Sequence, residues 1–243
     1  MGVGAGGVAD AWVHGCAAGA TGVVAQPSRH AGGSLNATRD LQLTAVRLSL
    51  GGRVLLALDA SVPAGEVLTI MGPSGSGKSS LLAFIAGFLP PAFTASGEAW
   101  LAGRNITGLP AERSGVGLLF QDPLLFPHLS VAGNLRFGLK DRSAGADAAI
   151  DQALQQIGLA GFARRDPATL SGGQKARVAL MRLLLSKPRA VLLDEPFSKL
   201  DAGLRHEMRE LVFGHLRASG LPTVLVTHDD ADARDAGGPV IVL

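Results

Sequence analysis

One short run constrains this chain more than any other. Gly72, Pro73, Ser74, Gly75, Ser76, Gly77, Lys78 and Ser79 fit the pattern G-x-x-x-x-G-K-[ST] at every fixed position. An apolar strand, Val67–Met71, is predicted just before it and a helix over 79–87 just after it, which is the context the pattern requires. Glycines let successive backbone N–H groups curl around phosphate oxygens without a Cβ in the way. The helix that begins near Lys78 aims the positive end of its dipole at the same anion. Lys78 is placed to reach the β- and γ-phosphates and Ser79 to ligate Mg²⁺, with Ser80 completing the turn. A strand–loop–helix of this kind belongs in an α/β domain with a nucleotide at the sheet edge.

A second run supplies the acids. Ala190 to Leu193 is continuously apolar and ends in Asp194, Glu195 and Pro196. A buried strand that ejects carboxylates at its C-terminal end is where open α/β sheets collect ligand chemistry. Asp194 is the expected Mg²⁺ partner, through water. Glu195, one residue on, can face a water in line with the γ-phosphate and serve as general base.

Around these runs the pattern alternates. Leu41–Leu50 and 54–62 read as a hairpin turned at Gly51 and Gly52. Strands are predicted at 98–101, 115–120, 190–193, 223–227 and 240–243, helices at 177–185 and 205–218. The stretch 122–170 reads as mostly helical, with breaks at Pro123, Pro127 and Pro167. Residues 1–38 are rich in Gly and Ala without a period, and are expected to be a disordered extension or the product of an early start codon. Gly2, Gly4 and Gly7 fit G-x-G-x-x-G, but no strand precedes them, so no dinucleotide site is expected there. The remainder, 39–243, is expected to be one domain.

Composition excludes several classes. No stretch reaches the roughly 18–20 uncharged apolar residues of a membrane-spanning helix, so any membrane must be crossed by another chain. Cys16 is the sole cysteine of the 243 residues, which rules out an intrachain disulfide and suits a reducing compartment. The net charge of +2 gives no strong field for a polyanion, and no nucleic-acid partner is expected.

Leu170, Ser171, Gly172, Gly173 and Gln174 precede a helix and lie shortly before the acidic strand. With them the chain resembles the ABC ATPase family, whose signature these five residues match in full, and the likeness covers about 41–243. It implies a P-loop NTPase (RecA-like) core sheet, an N-terminal antiparallel β subdomain and an α-helical signature subdomain at about 122–172. It also implies that Ser171, Gly172, Gly173 and Gln174 bind the γ-phosphate of an ATP held by a second copy, so that two sites form in a head-to-tail homodimer. By the same resemblance Gln121 senses Mg²⁺ and the attacking water. Asp201, in Ser198-Lys-Leu-Asp201, crosses to the partner subunit, and His228 contacts the γ-phosphate. The expected function is an ATP hydrolase coupled to transport, peripheral on the cytoplasmic face of the plasma membrane. Its partners would be membrane permease subunits and, indirectly, a solute-binding protein.

The run from Gln121 to Leu135 resembles the importer branch that handles thiamine, ferric iron, sulfate and polyamines. Ser96–Trp100, Phe120–Phe126 and Asp166–Leu180 look most like thiamine-type transport ATPases. Phe126, Pro127 and His128 are candidate permease contacts, with packing inside the helical subdomain as the competing reading. In one respect the chain departs from the family: Leu50 stands where an adenine-stacking aromatic is usual, and the chain contains no tyrosine. Ending at Leu243, it is expected to lack the appended C-terminal regulatory domain of one subfamily. Two other classes remain open on sequence: a soluble ABC ATPase acting on ribosomes or DNA, and a nucleotide-binding regulatory module without turnover.

Overall fold

Two sheets carry the architecture. The computed structural model describes residues 39–140 and 145–243, and the expected extension at 1–38 lies outside the described residues. Strands β1 (Leu41–Leu50) and β2 (Arg53–Val62) form the predicted hairpin. Strand β4 (Phe93–Leu101) pairs antiparallel with the other edge of β1, and the two-residue β5 (Arg104–Asn105) follows it, in the order β2-β1-β4-β5. One face of this sheet is apolar: Leu41, Leu43, Val46, Leu48, Leu56 and Leu58 are buried. The phase changes between Leu43 and Val46 because Ala45 bulges, with φ 49°. Strand β4 begins five residues before the expected 98, since its first half is polar and partly exposed and draws its order from pairing with β1.

The second sheet is parallel throughout. Strands β3 (Val67–Met71), β6 (Val116–Leu119), β7 (Ala190–Asp194), β8 (Thr223–Val226) and β9 (Val240–Val242) lie in the order β6-β7-β8-β3-β9. Its central strands are apolar on both faces because both faces are covered. Ala190, Leu192, Val224 and Ile70 pack with α1 (Lys78–Ala86) and the first sheet in one core. Val191, Leu193, Leu225 and Val67 pack on the other side with α5 (Gly172–Leu185) and α6 (Ala202–Ala218).

A third apolar cluster joins α3 (Val131–Gly138) and α4 (Ala146–Gln156) to α5. The stretch 122–170 is less helical than expected: it contains these two helices and a 3-10 turn at Pro167–Thr169. The segment before α3 is an irregular loop organised by buried Asn134, whose amide donates to the carbonyls of Phe126 and Ser130, both at 3.1 Å, and accepts from Phe126 N–H at 2.8 Å. Helix α5 starts five residues before the expected 177, because Ser171 and Gln174 form a capping box that makes both glycines helical positions. Two short helices were not legible: α2 (Ala111–Ser114) and α7 (Asp230–Ala236), the latter rich in Asp and Ala without an apolar stripe.

Gly97 sits opposite the bulge with φ 93°, and a Cβ there would stand 2.4 Å from the carbonyl oxygen of Ala45. Gly97→Ala should therefore destabilise the fold by about 1–3 kcal/mol, read as a lower midpoint in urea at unchanged slope.

Candidate nucleotide site

The loop between β3 and α1 is built to receive an anion. Gly77 is the N-cap of α1 with φ 91°, and no side chain caps the helix, so its first N–H groups stay directed at the loop. Lys78, 6% exposed, lies back across that loop and donates from Nζ to the carbonyls of Gly72 at 2.8 Å and Pro73 at 2.7 Å. Burial lowers its pKa, while the charges of Glu195 and Asp194 act the other way. Ser76 Oγ is buried in the same loop without a hydrogen-bond partner. A phosphate oxygen would satisfy that hydroxyl and give Lys78 a charged acceptor in place of two carbonyls.

The acids meet this loop at the sheet edge. Ser79 Oγ donates to Asp194 Oδ1 at 3.0 Å, across 115 residues of sequence. Burial raises the pKa of Asp194; the Ser79 hydrogen bond and the Lys78 charge oppose this, and the Glu195 charge adds to it. A hydroxyl and a carboxylate side by side at a phosphate cradle are the oxygen donors that suit Mg²⁺, which takes one or two carboxylates with phosphates and water. Glu195 has φ 44°, a strained conformation for a residue with a Cβ. It is held there by its N–H to Val226 O at 2.9 Å and by Ser198, whose N–H and Oγ donate to the Glu195 carbonyl at 3.2 and 2.9 Å. The Glu195 carboxylate lies 3.1 Å from His228 Nδ1. Gln121 follows β6 and donates from Nε2 to Ser198 Oγ at 3.0 Å.

The fold thus brings the phosphate loop, Asp194, Glu195, Gln121 and His228 to the C-terminal edge of one parallel sheet. Ser198, which the sequence marks only as the start of the Asp201 loop, links Gln121 to Glu195, and its pairing with Gln121 spans 77 residues that no local pattern connects. The signature residues stand apart. Ser171 and Gln174 spend their side chains on their own capping box, Gly172 faces open space, and Gly173 is buried against Leu204 of α6. Asp201 caps α6, accepting from Leu204 N–H at 3.0 Å. Leu50 is half-buried at the hairpin tip, directly across from Phe93. Phe126 is half-buried while Pro127 and His128 are exposed.

Residues 55–198 match the family model described as ABC transporter. The chain is 47% identical over 182 residues to YnjD, an uncharacterized ABC transporter ATP-binding protein of Escherichia coli (strain K12), covering 74% of this chain and 84% of that one. It is 44% identical over 189 residues to the sulfate/thiosulfate import ATP-binding protein CysA of Mycobacterium tuberculosis (strain CDC 1551 / Oshkosh), covering 76% and 53%. It is 43% identical over 211 residues to the Fe(3+) ions import ATP-binding protein FbpC of Streptomyces coelicolor, covering 84% and 59%, so it spans little more than half the length of these two relatives. Among solved structures, cbiO1 from Clostridium perfringens, part of the ABC transporter complex cbiONQ, superposes with a TM-score of 0.73 at 28% identity over 83% of each chain. With its phosphate loop and acidic strand inside the matched residues, the chain belongs to the ABC transporter family as an ATP-binding, ATP-hydrolysing subunit.

Proposed function

We propose that this subunit energises solute import, working as an ATP-bound homodimer beneath membrane permease subunits. The observation that carries the catalytic half is the convergence of Lys78, Asp194, Glu195 and His228 on one sheet edge. The phosphate loop, from Gly72 through Ser80, binds the triphosphate. Ser79, Asp194 and Gln121 would hold Mg²⁺, which would neutralise charge developing on the phosphates. Glu195 accepts a proton from the water that attacks the γ-phosphorus as the bond to the ADP oxygen breaks. His228 orients that carboxylate and meets the γ-phosphate.

Support for the dimer comes from the signature helix. Its N-terminus presents Ser171 and Gly172 to solvent, and its first N–H groups lack intrahelical partners. A second copy's γ-phosphate would meet them there, with Asp201 alongside. Glu195→Gln should keep ATP affinity and lose turnover, because an amide cannot take the proton. Light scattering should then find this variant dimeric with ATP and monomeric with ADP, since a ligand shifts an equilibrium only by its differential affinity. Adding Ser171→Arg should remove the dimer and spare ATP binding. Wild-type turnover in Glu195→Gln would refute the catalytic assignment.

Support for a permease at the helical side is a cleft of about 190 Å³ between β6, α3 and α5, lined by Phe120, Pro123, Phe137 and Arg182 among others. Phe137 in this lining is 59% exposed and Leu124 is 52% exposed, and Phe137 packs edge-on against Phe126 with ring centres 4.6 Å apart. No helix among the described residues is long and apolar enough to cross a membrane, so association with the cytoplasmic face of the membrane would run through this surface. Phe137→Asp should abolish co-purification with the permease while leaving the ATPase rate of the isolated subunit within about twofold; retained co-purification would place docking elsewhere.

The import direction rests on relatives named for sulfate/thiosulfate and Fe(3+) import, and a thiamine-type cargo rests on the three local runs at 96–100, 120–126 and 166–180. Uptake assays with thiamine, sulfate and ferric iron in cells carrying the complete transporter distinguish these cargoes. With Leu50 in place of a stacking ring, Kd values for ATP and GTP should agree within about tenfold. A larger preference for ATP would assign adenine reading to another group, with Phe93 first by register.

A further inference from the structure

Behind the turn that carries His228, five polar side chains form a connected network that the chemistry above does not use. Arg209, 8% exposed, donates from Nε to Asp232 Oδ1 at 2.6 Å and from Nη2 to Asp229 Oδ2 at 3.1 Å. Asp232, 3% exposed, accepts through its other oxygen from Thr227 Oγ1 at 2.6 Å. Thr227 Oγ1 in turn accepts from Asp229 N–H at 3.1 Å. Both neighbours of His228 are therefore fixed, with the histidine ring left exposed on the site side. Arg205, one turn earlier on α6, is placed differently. Its Nη1 donates to the same Asp229 Oδ2 at 3.1 Å, and its Nη2 donates to the carbonyl of Leu200 at 3.0 Å. Leu200 immediately precedes Asp201, the cap of α6. One guanidinium thus spans the His228 turn and the loop that ends at Asp201. Burial works against the Asp229 carboxylate, yet the hydrogen bond from Ala231 N–H and the charges of Arg209 and Arg205 outweigh it and hold its pKa below the ordinary value. Asp229 is therefore a permanent anion for both arginines at neutral pH.

A planar, rigid fork suits this bridge, because two acceptors on different loops are met from one delocalised group. A half-exposed ion pair contributes little stability by itself, so the consequence of this one is where it holds His228. We propose that Arg205 is a positioning residue that acts through His228, keeping it against Glu195 and coupling it to the Asp201 loop. This rests on the reading of Glu195 and His228 as the γ-phosphate end of the site. Arg209 and Asp232 form the buried footing of the same turn, and Arg205 is the member that reaches the second loop.

The test is steady-state ATPase kinetics on the full-length protein, with melting temperatures recorded, for Arg205→Met, Arg205→Lys, His228→Ala, the double variant of Arg205→Met with His228→Ala, and Glu195→Gln. Arg205→Met should lower kcat by about tenfold and leave KM for ATP within about twofold, because the phosphate loop is untouched. Arg205→Lys keeps the charge but not the fork, and should stay low. In the His228→Ala background the Arg205→Met change should cost less than about twofold further, since its effect passes through the histidine. Asp229→Asn, which alters the other end of the bridge, should reproduce the kcat-only loss if Arg205→Met folds poorly. Wild-type kcat in Arg205→Met, full activity in Arg205→Lys, or an undiminished further loss in the His228→Ala background would each overturn the proposal. Wild-type turnover in Glu195→Gln would overturn the catalytic reading beneath it, whatever Arg205 does.

Discussion

The main-chain ladder of the parallel sheet continues past the strands into the loops that carry the chemistry. Glu195 N–H bonds to Val226 O at 2.9 Å, Thr227 N–H to Ile70 O at 3.2 Å, and Leu243 N–H to Met71 O at 2.9 Å. Each bond links the first residues beyond one strand to the end of its neighbour. The acid after β7, the histidine after β8 and the phosphate loop after β3 are therefore held in mutual register by backbone. Side chains then need only short reaches: Ser79 to Asp194, His228 to Glu195, Gln121 to Ser198.

This arrangement places charge at the end of an apolar sheet, which is costly without partners. Burial disfavours the charged forms of both Lys78 and Asp194. The two groups partly compensate each other, and Ser79 compensates the acid further, but the Ser76 hydroxyl remains buried and unpartnered. Glu195 adds backbone strain on the same edge. Nucleotide phosphates are complementary to Lys78 and the Ser76 hydroxyl, so a bound nucleotide would offset part of this cost. The N-terminus of α5 is built differently: Ser171 and Gln174 close it with a capping box, while Ser171 and Gly172 stay exposed.

Three apolar clusters share the packing of the described residues. The first two apolar cores enclose the parallel sheet from both sides, while the third belongs to α3, α4 and α5. Leu125 and Leu184 pack against both the second and third clusters, so the helical part is continuous with the core, not hung on a free linker. Phe137, 59% exposed, lines the cleft between β6, α3 and α5.

The phosphate loop, the acidic strand and the signature run were legible in the amino-acid sequence because each depends on local rules. Glycines relieve a Cβ clash where backbone must wrap an anion, an apolar run marks a doubly covered strand, and Ser171 before two glycines reads as a helix N-terminus, although the capping box with Gln174 that starts α5 at Gly172 emerged only in the fold. Those rules fixed the α/β class and nearly all the main elements. They failed where order comes from a distant partner. Strand β4 is polar at its start and is ordered by β1, the loop before α3 is shaped by the single side chain of Asn134, and α7 has no apolar stripe at all. The pairing of Ser198 with Gln121, of Arg205 with both Asp229 and Leu200, and of Phe93 with Leu50 likewise needed the tertiary structure. These contacts join residues far apart in the chain, or pass across a loop whose path is set by the sheet beneath it. Sequence determined which groups stand at the end of each strand; the parallel order of the strands decided which of those groups meet.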